Sequence, residues 1–509
     1  NDMLLHKELG WFFLHKIGGY TDDANPYYKR QLAAEWTINM GTPPPAPPGE
    51  RDREAAIERY VEWLEPIANS PATLDAVIER NPQVETLVNR LGAIPMPLSR
   101  ELLFRREALL AFNNRAEISQ IVERMGPRSQ ALKALMDDPS LKPAWDDLLA
   151  YIRKRILVDE YNMEPERMIR YTRYYGPIDW RHHAAHSLYW SARGVEVGEA
   201  RVTERNKRDF DFINTDRIVI QSVQDLFRSG NMYFDFAGTF TPGEPFMQMV
   251  PNPYFVETYG KIVKSRDMES RSWADIASDR GYRPYIGGYE NFLKDAVSFF
   301  YARGEIAEAQ KWYTELGTMP EQNVHYRGRA EEFSIPLVDF VNKELQDRLT
   351  SPYIMQQQVA GSLHNAYVAG LLQGDLDLFR AQLEYAKRVH RYFFEEQYRT
   401  TNVDRGTARM EQMDSDFRMI AGVFFVQLMQ SLSLEDAETV YDRAPNDLRQ
   451  FAYEALQNTY KEFLDKRAAG GVGRSFDQVF PEPRDMSNFR AFIERQRPPE
   501  QPNATIEAK

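Results

Sequence analysis

Three of the chain's eight histidines fall within five residues, in Asp179-Trp-Arg-His-His-Ala-Ala-His-Ser-Leu-Tyr-Trp190. If residues 180–193 form a helix, His182 and His186 stand four apart on one face, where both imidazoles can reach a single ion. Asp179 lies three residues before His182, on roughly the same side. Zinc-dependent peptide hydrolysis uses His-Glu-x-x-His, whose glutamate activates the water. Here the second position is His183, which cannot act as that carboxylate base. The other account of the stretch is structural. Gly176-Pro177 closes the preceding helix and Asp179 caps the next, which consumes the carboxylate a metal site would want. A helix N-terminus also disfavours protonated imidazole, because the positive end of the dipole lies there. His186, just ahead of Leu188-Tyr189-Trp190, then becomes a hydrogen-bonded core residue. This structural account covers every residue of the stretch; a metal-dependent hydrolase built on His182 and His186 is the alternative.

Other chemistry-bearing patterns are thinner. Gly470-Gly-Val-Gly-Arg-Ser475 lacks the Gly-Lys-Ser/Thr ending of a phosphate loop and follows Asp465-Lys-Arg-Ala-Ala, so it reads as a helix end and a loop. The chain has no Gly-x-Ser-x-Gly elbow and no Glu-x-x-His pair. Arg167, Arg170 and Arg173 recur beside Tyr171, Tyr174 and Tyr175, with Arg201, Arg205, Lys207 and Arg208 further on. Such a zone suits an acidic peptide or a partner's C-terminal carboxylate. It equally suits a solvated helix face paired internally to Glu164, Glu166 and Glu204, and that reading is favoured.

Composition narrows the field. The 509 residues are 43% hydrophobic and 27% charged, the balance of a folded protein long enough for roughly three domains or one repeat array. A formal net charge of −12 opposes binding to nucleic acid and to anionic lipid. There is no cysteine, which excludes disulfides, thiolate metal sites and cysteine nucleophiles and leaves the compartment open. The longest apolar run, Met419 to Val426, is far short of the ~20 residues that cross a bilayer. The sequence opens at Asn1 already inside an amphipathic pattern, so a signal peptide, an anchor or further repeats are expected upstream.

The elements that must position these residues are nearly all helical. Leu4, Leu5, Leu9, Phe12 and Phe13 mark one apolar face; Tyr28, Leu32 and Trp36 mark another; Gly18-Gly19 and Thr21-Asp22-Asp23 supply the turn between them. Residues 1–41 thus read as an N-terminal helical hairpin. Thr42-Pro-Pro-Pro-Ala-Pro-Pro-Gly49 reads as a stiff polyproline linker over 42–50. Dense start signals at Ser70-Pro71, Asn81-Pro82, Asp138-Pro139 and Glu164-Pro165 predict many short helices in a first helical-repeat region over 51–230. Tyr233 to Phe240 and Phe246 to Val250 alternate around Thr241-Pro-Gly-Glu244, which predicts a β-hairpin or loop insertion within 231–255. A second helical-repeat region spans 256–496, and the tail 497–509 lacks core-forming residues and reads as disordered.

Asp295 to Gly317 resembles a tetratricopeptide repeat, with Ala296, Phe299, Gly304, Ala309, Tyr313 and Pro320 in the places of its small, aromatic, turn and closing residues. Small residues let two antiparallel helices approach, and aromatics fill the groove to the next hairpin. Fainter copies begin at Leu9-Gly10, at Ala185 with Asp216 to Phe227 returning, at Ala366, and at Asp416 with Ser433 to Tyr441. Beyond this repeat the chain resembles a group of large bacterial helical-repeat proteins without an assigned activity. The resemblance rests on Leu9-Gly-Trp-Phe12 with His15-Lys-Ile-Gly18 and Asp22-Asp-Ala24, on Glu160-Tyr-Asn-Met163, and on Tyr175-Gly-Pro-Ile-Asp-Trp-Arg181 running into Leu188-Tyr-Trp-Ser-Ala-Arg-Gly194. It implies an upstream membrane anchor and carries over no catalytic residue.

The sequence therefore predicts an all-α, tetratricopeptide-like α-solenoid of helical hairpins with one small inserted β-hairpin. Its expected work is to bind a protein or peptide partner without a cofactor, with Arg170, Tyr171 and Trp190 as candidate contacts. Self-association or membership of a larger envelope-associated assembly fits the same surface, and an extracytoplasmic or membrane-associated place follows from the upstream expectation. The hydrolase at His182 and His186 and a purely structural spacer are the other readings.

Overall fold

The computed structural model describes residues 2–19, 22, 24–113, 115, 116, 118–205, 210–241, 243–265, 283–322, 331–348, 352–401 and 414–496. The fold is all-α: the described residues hold 23 α-helices and one two-stranded sheet. Backbone contacts divide the chain into a first unit, Asn1–Gln346, and a second, Asp347–Lys509. The expected tail, 497–509, lies outside the described residues.

In the first unit α1 (Met3–Trp11) continues as a π-helical stretch, Phe12–Ile17. Next come α2 (Ala24–Met40), α3 (Arg53–Ala68), α4 (Leu74–Arg80), α5 (Gln83–Ala93), α6 (Arg100–Phe112), α7 (Ile118–Arg124) and α8 (Pro127–Met136). They are followed by α9 (Lys142–Asp159), α10 (Pro165–Tyr175), α11 (His183–Arg205), α12 (Phe210–Ser229) and α13 (Val256–Ser265). The unit closes with α14 (Arg283–Ala302), α15 (Ile306–Gln322) and α16 (Leu337–Arg348), the last of which reaches the boundary between the units. One core cluster joins α10 to α15 with parts of α1 to α3, and a second fills the bundle of α4 to α9.

The strands β1 (Asn231–Phe234) and β2 (Met247–Val250) pair antiparallel, with Asn231 opposite Val250 and Phe234 opposite Met247. The hairpin expected from the alternation is present, but β1 stops at Phe234 and Phe236–Phe240 turns as a 3-10 helix. Met232, Phe234 and Phe236 pack with Ala33 of α2 in a small satellite core. The proline-rich segment after Gly41 carries neither helix nor strand as far as Glu50. Its end is fixed where the Glu50 carbonyl accepts from the Tyr254 hydroxyl at 3.1 Å and its carboxylate meets Arg59 at 2.5 Å.

Residues 295–317 lie in a tight hairpin of α14 and α15. Gly304 takes a φ of +76°, a left-handed turn that glycine adopts without strain, and Ala296 and Ala309 are fully buried. The Tyr313 hydroxyl donates to the Ile335 carbonyl at 2.8 Å, tying the hairpin to the chain that follows. Pro320 lies where side chains are not described. Ala309→Trp is expected to overpack this crossing and destabilise the first unit by about 1–3 kcal/mol, read as a lowered melting temperature. An unchanged melting temperature would place Ala309 off the crossing.

Two sequence pairings close differently. Helix α1 packs chiefly along α11 and α12; its π-helical continuation meets α2, which also packs on α6 and α9. A Cβ on Gly10 would lie 3.1 Å from the Ser187 carbonyl and from Ser191 Cβ, tighter than ordinary contact, so glycine suits this close approach. In the second unit, α17 (Pro352–Asn365), a π-helical stretch (Ala366–Leu372) and α18 (Leu376–Thr401) precede α19 (Phe417–Ser431), α20 (Leu434–Arg443), α21 (Asn446–Ala469), α22 (Phe476–Val479) and α23 (Met486–Gln496). There α19 packs chiefly against α21 and only lightly against the short α20 that follows it. The Phe451 ring lies over Gly422, the one point on α19 without a side chain to block it.

Candidate functional site

The histidine stretch spans the start of α11, and Asp179, Arg181, His182, His183, His186 and Ser187 are all buried. Asp179 accepts from the Arg181 backbone amide at 3.0 Å, from its Nε at 3.0 Å and from its Nη2 at 2.7 Å. The carboxylate is therefore spent on a buried ion pair, and it holds the Arg181 guanidinium above its usual range despite the opposing cost of burial. The side chain on the Ala184 amide is His182 through Nδ1 at 3.1 Å, which corrects the expectation that Asp179 caps α11. The helix begins at His183, too far along for Asp179 to reach its free amides.

These bonds fix the His182 tautomer. Its Nδ1 accepts from Ala184, so Nε2 carries the proton and donates to Ser229 Oγ at 3.1 Å, whose own hydrogen goes to the Asp225 carbonyl at 2.8 Å. Neither nitrogen of His182 keeps a free lone pair. His183 Nε2 lies 2.6 Å from Asp225 Oδ2. His186 Nε2 donates to the Trp180 carbonyl at 2.9 Å, and its ring sits against Phe13 and Trp36 with centroids 5.0 and 4.2 Å away. Burial lowers His182 well below the usual histidine value, and burial with the neighbouring His183 brings His186 down to about 3. Both rings are neutral and serve different acceptors. Hydrolytic chemistry at His182 and His186 would require both to give up these bonds. Among the described residues no group of three or more His, Asp or Glu side chains is placed to hold a metal ion.

Around the histidines the same helices are stitched by hydroxyls. Ser187 Oγ donates to the Gly10 carbonyl at 2.8 Å, Ser222 Oγ to Ser187 Oγ at 2.8 Å, and Ser191 Oγ to the Ser187 carbonyl at 2.7 Å. The arrangement joins α1, α11 and α12.

The residues proposed for partner contact separate. Arg170 stands in solvent, paired to Glu196 at 2.9 Å. Tyr171 is 3% exposed and packs edge-on to Tyr175 and Tyr189, so it belongs to the core and not to an open face. Trp190 is half-buried, edge-on to His6 and beneath the Arg193 guanidinium. The arginine zone is internally neutralised. Arg167 pairs with Glu164 and Glu196, and Arg173 with Glu65 and Glu58. The solvated face favoured from the sequence describes it, with Glu58, Glu65 and Glu196 as added acids. Glu204 and the cations at 201, 205, 207 and 208 lie outside the described side chains.

The face that does stand open is the outer side of α1. Met3, His6, Gly10 and Leu14 are its buried stripe, whereas Leu4, Leu5, Trp11 and Phe12 are 39%, 60%, 41% and 49% exposed. Beside it, between α1 and α12, runs a groove of about 460 Å³ lined by Lys7, Trp11, His15, Asn214, Arg217 and Gln221 among others. The Lys16 ammonium lies 5.6 Å from the Trp11 ring centroid, and Lys7 pairs with Glu8 at 3.3 Å. Glu8 also lines the groove and answers Lys7, so Lys16 and Arg217 are what make this margin basic on an acidic chain. The sequence does carry the signal, as the apolar face at 4, 5, 9, 12 and 13, of which Leu4, Leu5 and Phe12 are exposed.

No family model, curated protein or solved structure matches the chain.

Proposed function

We propose that the protein is a binding scaffold built of helical hairpins, and that it takes a protein or peptide partner along the outer face of α1. One observation carries the reading: four large apolar side chains within nine residues stand in solvent on a helix whose other stripe is locked into the core. Solvent-facing Trp and Phe beside polar groups are the composition of a binding centre, where aromatic anchors supply most of the affinity. The groove adds lysine, arginine and amide groups, which suit a partner carrying carboxylates next to apolar residues. Tetratricopeptide-like stacking of hairpins such as α14–α15 would give a rigid support, since each hairpin buries its aromatic face on a neighbour. The reading assigns no catalytic residue and no cofactor, and assembly into a larger envelope-associated complex is its natural setting.

A photo-crosslinking side chain at position 5 or 12 tests it. The expected result is one discrete crosslinked species, lost when Trp11→Asp is added while circular dichroism stays unchanged. A second copy of the chain as the species would assign the face to self-association. Absence of any discrete species from both positions would dismiss the reading.

A further inference from the structure

A separate cavity of about 390 Å³ lies among α2, α3, α6, α9 and the 3-10 turn after β1. Its volume falls within the range of small-molecule sites. Two guanidiniums enter it and share a single carboxylate oxygen. Arg106 Nη1 lies 2.7 Å, and Arg153 Nη2 2.9 Å, from Glu107 Oε1, with Glu107 only 5% exposed. Two positive charges against one negative leave one in excess. Arginine cannot shed its proton to relieve this. Arg153 Nε is buried and finds no acceptor among the described residues. Burial and the neighbouring Arg106 push the Arg153 guanidinium down from its usual value, against the opposing pull of Glu107 and Asp146. Behind it, Gly41 at φ +81° leaves room that a Cβ would take, 2.8 Å from Arg153 Nη2. The remaining wall is mixed: Met40, Trp63, Leu110 and Phe236 form an apolar side next to Thr37 and Thr42.

We propose that this cavity binds a small organic monocarboxylate, its carboxylate on Arg153 and Arg106 and its hydrocarbon part against Trp63 and Phe236. One excess positive charge matches a monoanion. A phosphate dianion would leave the apolar wall facing a net negative charge, and a neutral ligand would leave the guanidinium unanswered. The site is independent of the α1 face, and neither reading rests on the other.

Titration calorimetry on the full chain with benzoate, hexanoate, inorganic phosphate and benzyl alcohol tests it. At least one of the two carboxylates is expected to bind one per chain, more tightly than phosphate or the alcohol. Arg153→Met is expected to weaken it by about tenfold or more. Ala111→Phe, which fills the cavity and keeps both arginines, is expected to abolish binding with the circular dichroism of the parent. No heat with either carboxylate, equal affinity for phosphate or benzyl alcohol, or full binding by folded Ala111→Phe would each overturn the proposal.

Discussion

Asp179→Ala is expected to destabilise the first unit by about 3–5 kcal/mol, the cost of leaving a buried guanidinium without its carboxylate. Arg181 and Asp179 are 4% and 2% exposed, and three of the local donors converge on this one carboxylate. Besides Asp179, the Arg181 side chain reaches the Met232 carbonyl at 3.4 Å, a weak bond that cannot neutralise a charge. The penalty comes from the orphaned cation more than from the lost attraction. The double variant Asp179→Ala/Arg181→Met should therefore recover a large part of the loss, because it removes both charges from the interior. Urea unfolding followed by near-ultraviolet circular dichroism reads both variants. If the double variant is no more stable than Asp179→Ala, the buried charge is not what governs this site.

The second large effect is on acid stability. His186 is held neutral, with a value near 3 against 6.5 for an ordinary histidine, first by burial and then by the charge of His183. A lowered value in the folded state means that unfolding takes up a proton below pH 6.5. His186 therefore costs nothing above that pH, and its penalty grows as the pH falls from 6.5 toward 3. Between pH 7 and pH 5 His186 alone is expected to remove about 2 kcal/mol from the first unit, close to 1.4 kcal/mol per pH unit once below 6.5. His182, also lowered by burial, adds to the same slope. His186→Gln keeps an N–H for the Trp180 carbonyl and cannot titrate, so its stability should depend less steeply on pH across this window. Parallel curves for parent and variant would mean that His186 protonates in the fold without cost.

Much of the architecture was legible from local chemistry. Proline and capping residues announced short helices; Asn81 and Asp138 do accept from the amides two residues on, at 3.2 and 3.0 Å. Ser70-Pro71 announced a start that occurs later, at Leu74 behind Thr73, because the Thr73 hydroxyl and not Ser70 reaches a free helix amide. Alternation around a Thr-Pro-Gly turn gave the β-hairpin its place, and small residues at 296 and 309 marked a close crossing. The candidate site was legible only in part. The sequence offers a structural account of the histidines, yet which nitrogen bonds which acceptor depends on α12, whose Asp225 and Ser229 are more than 40 residues away in the chain.

Helix type, hairpin position and the unsuitability of His183 as a water-activating base follow from the amino-acid sequence, because each depends on neighbours within a few residues. The phase of α1 does not. Apolar residues at 4, 5, 9, 12 and 13 point to one buried stripe, and Met3, His6, Gly10 and Leu14 form another. Helix propensity treats the two alike. Packing chose the second, since the serines of α11 approach a backbone closely where the facing residue is as small as Gly10. That choice turned Trp11 and Phe12 toward solvent, and only the assembled helices could make it.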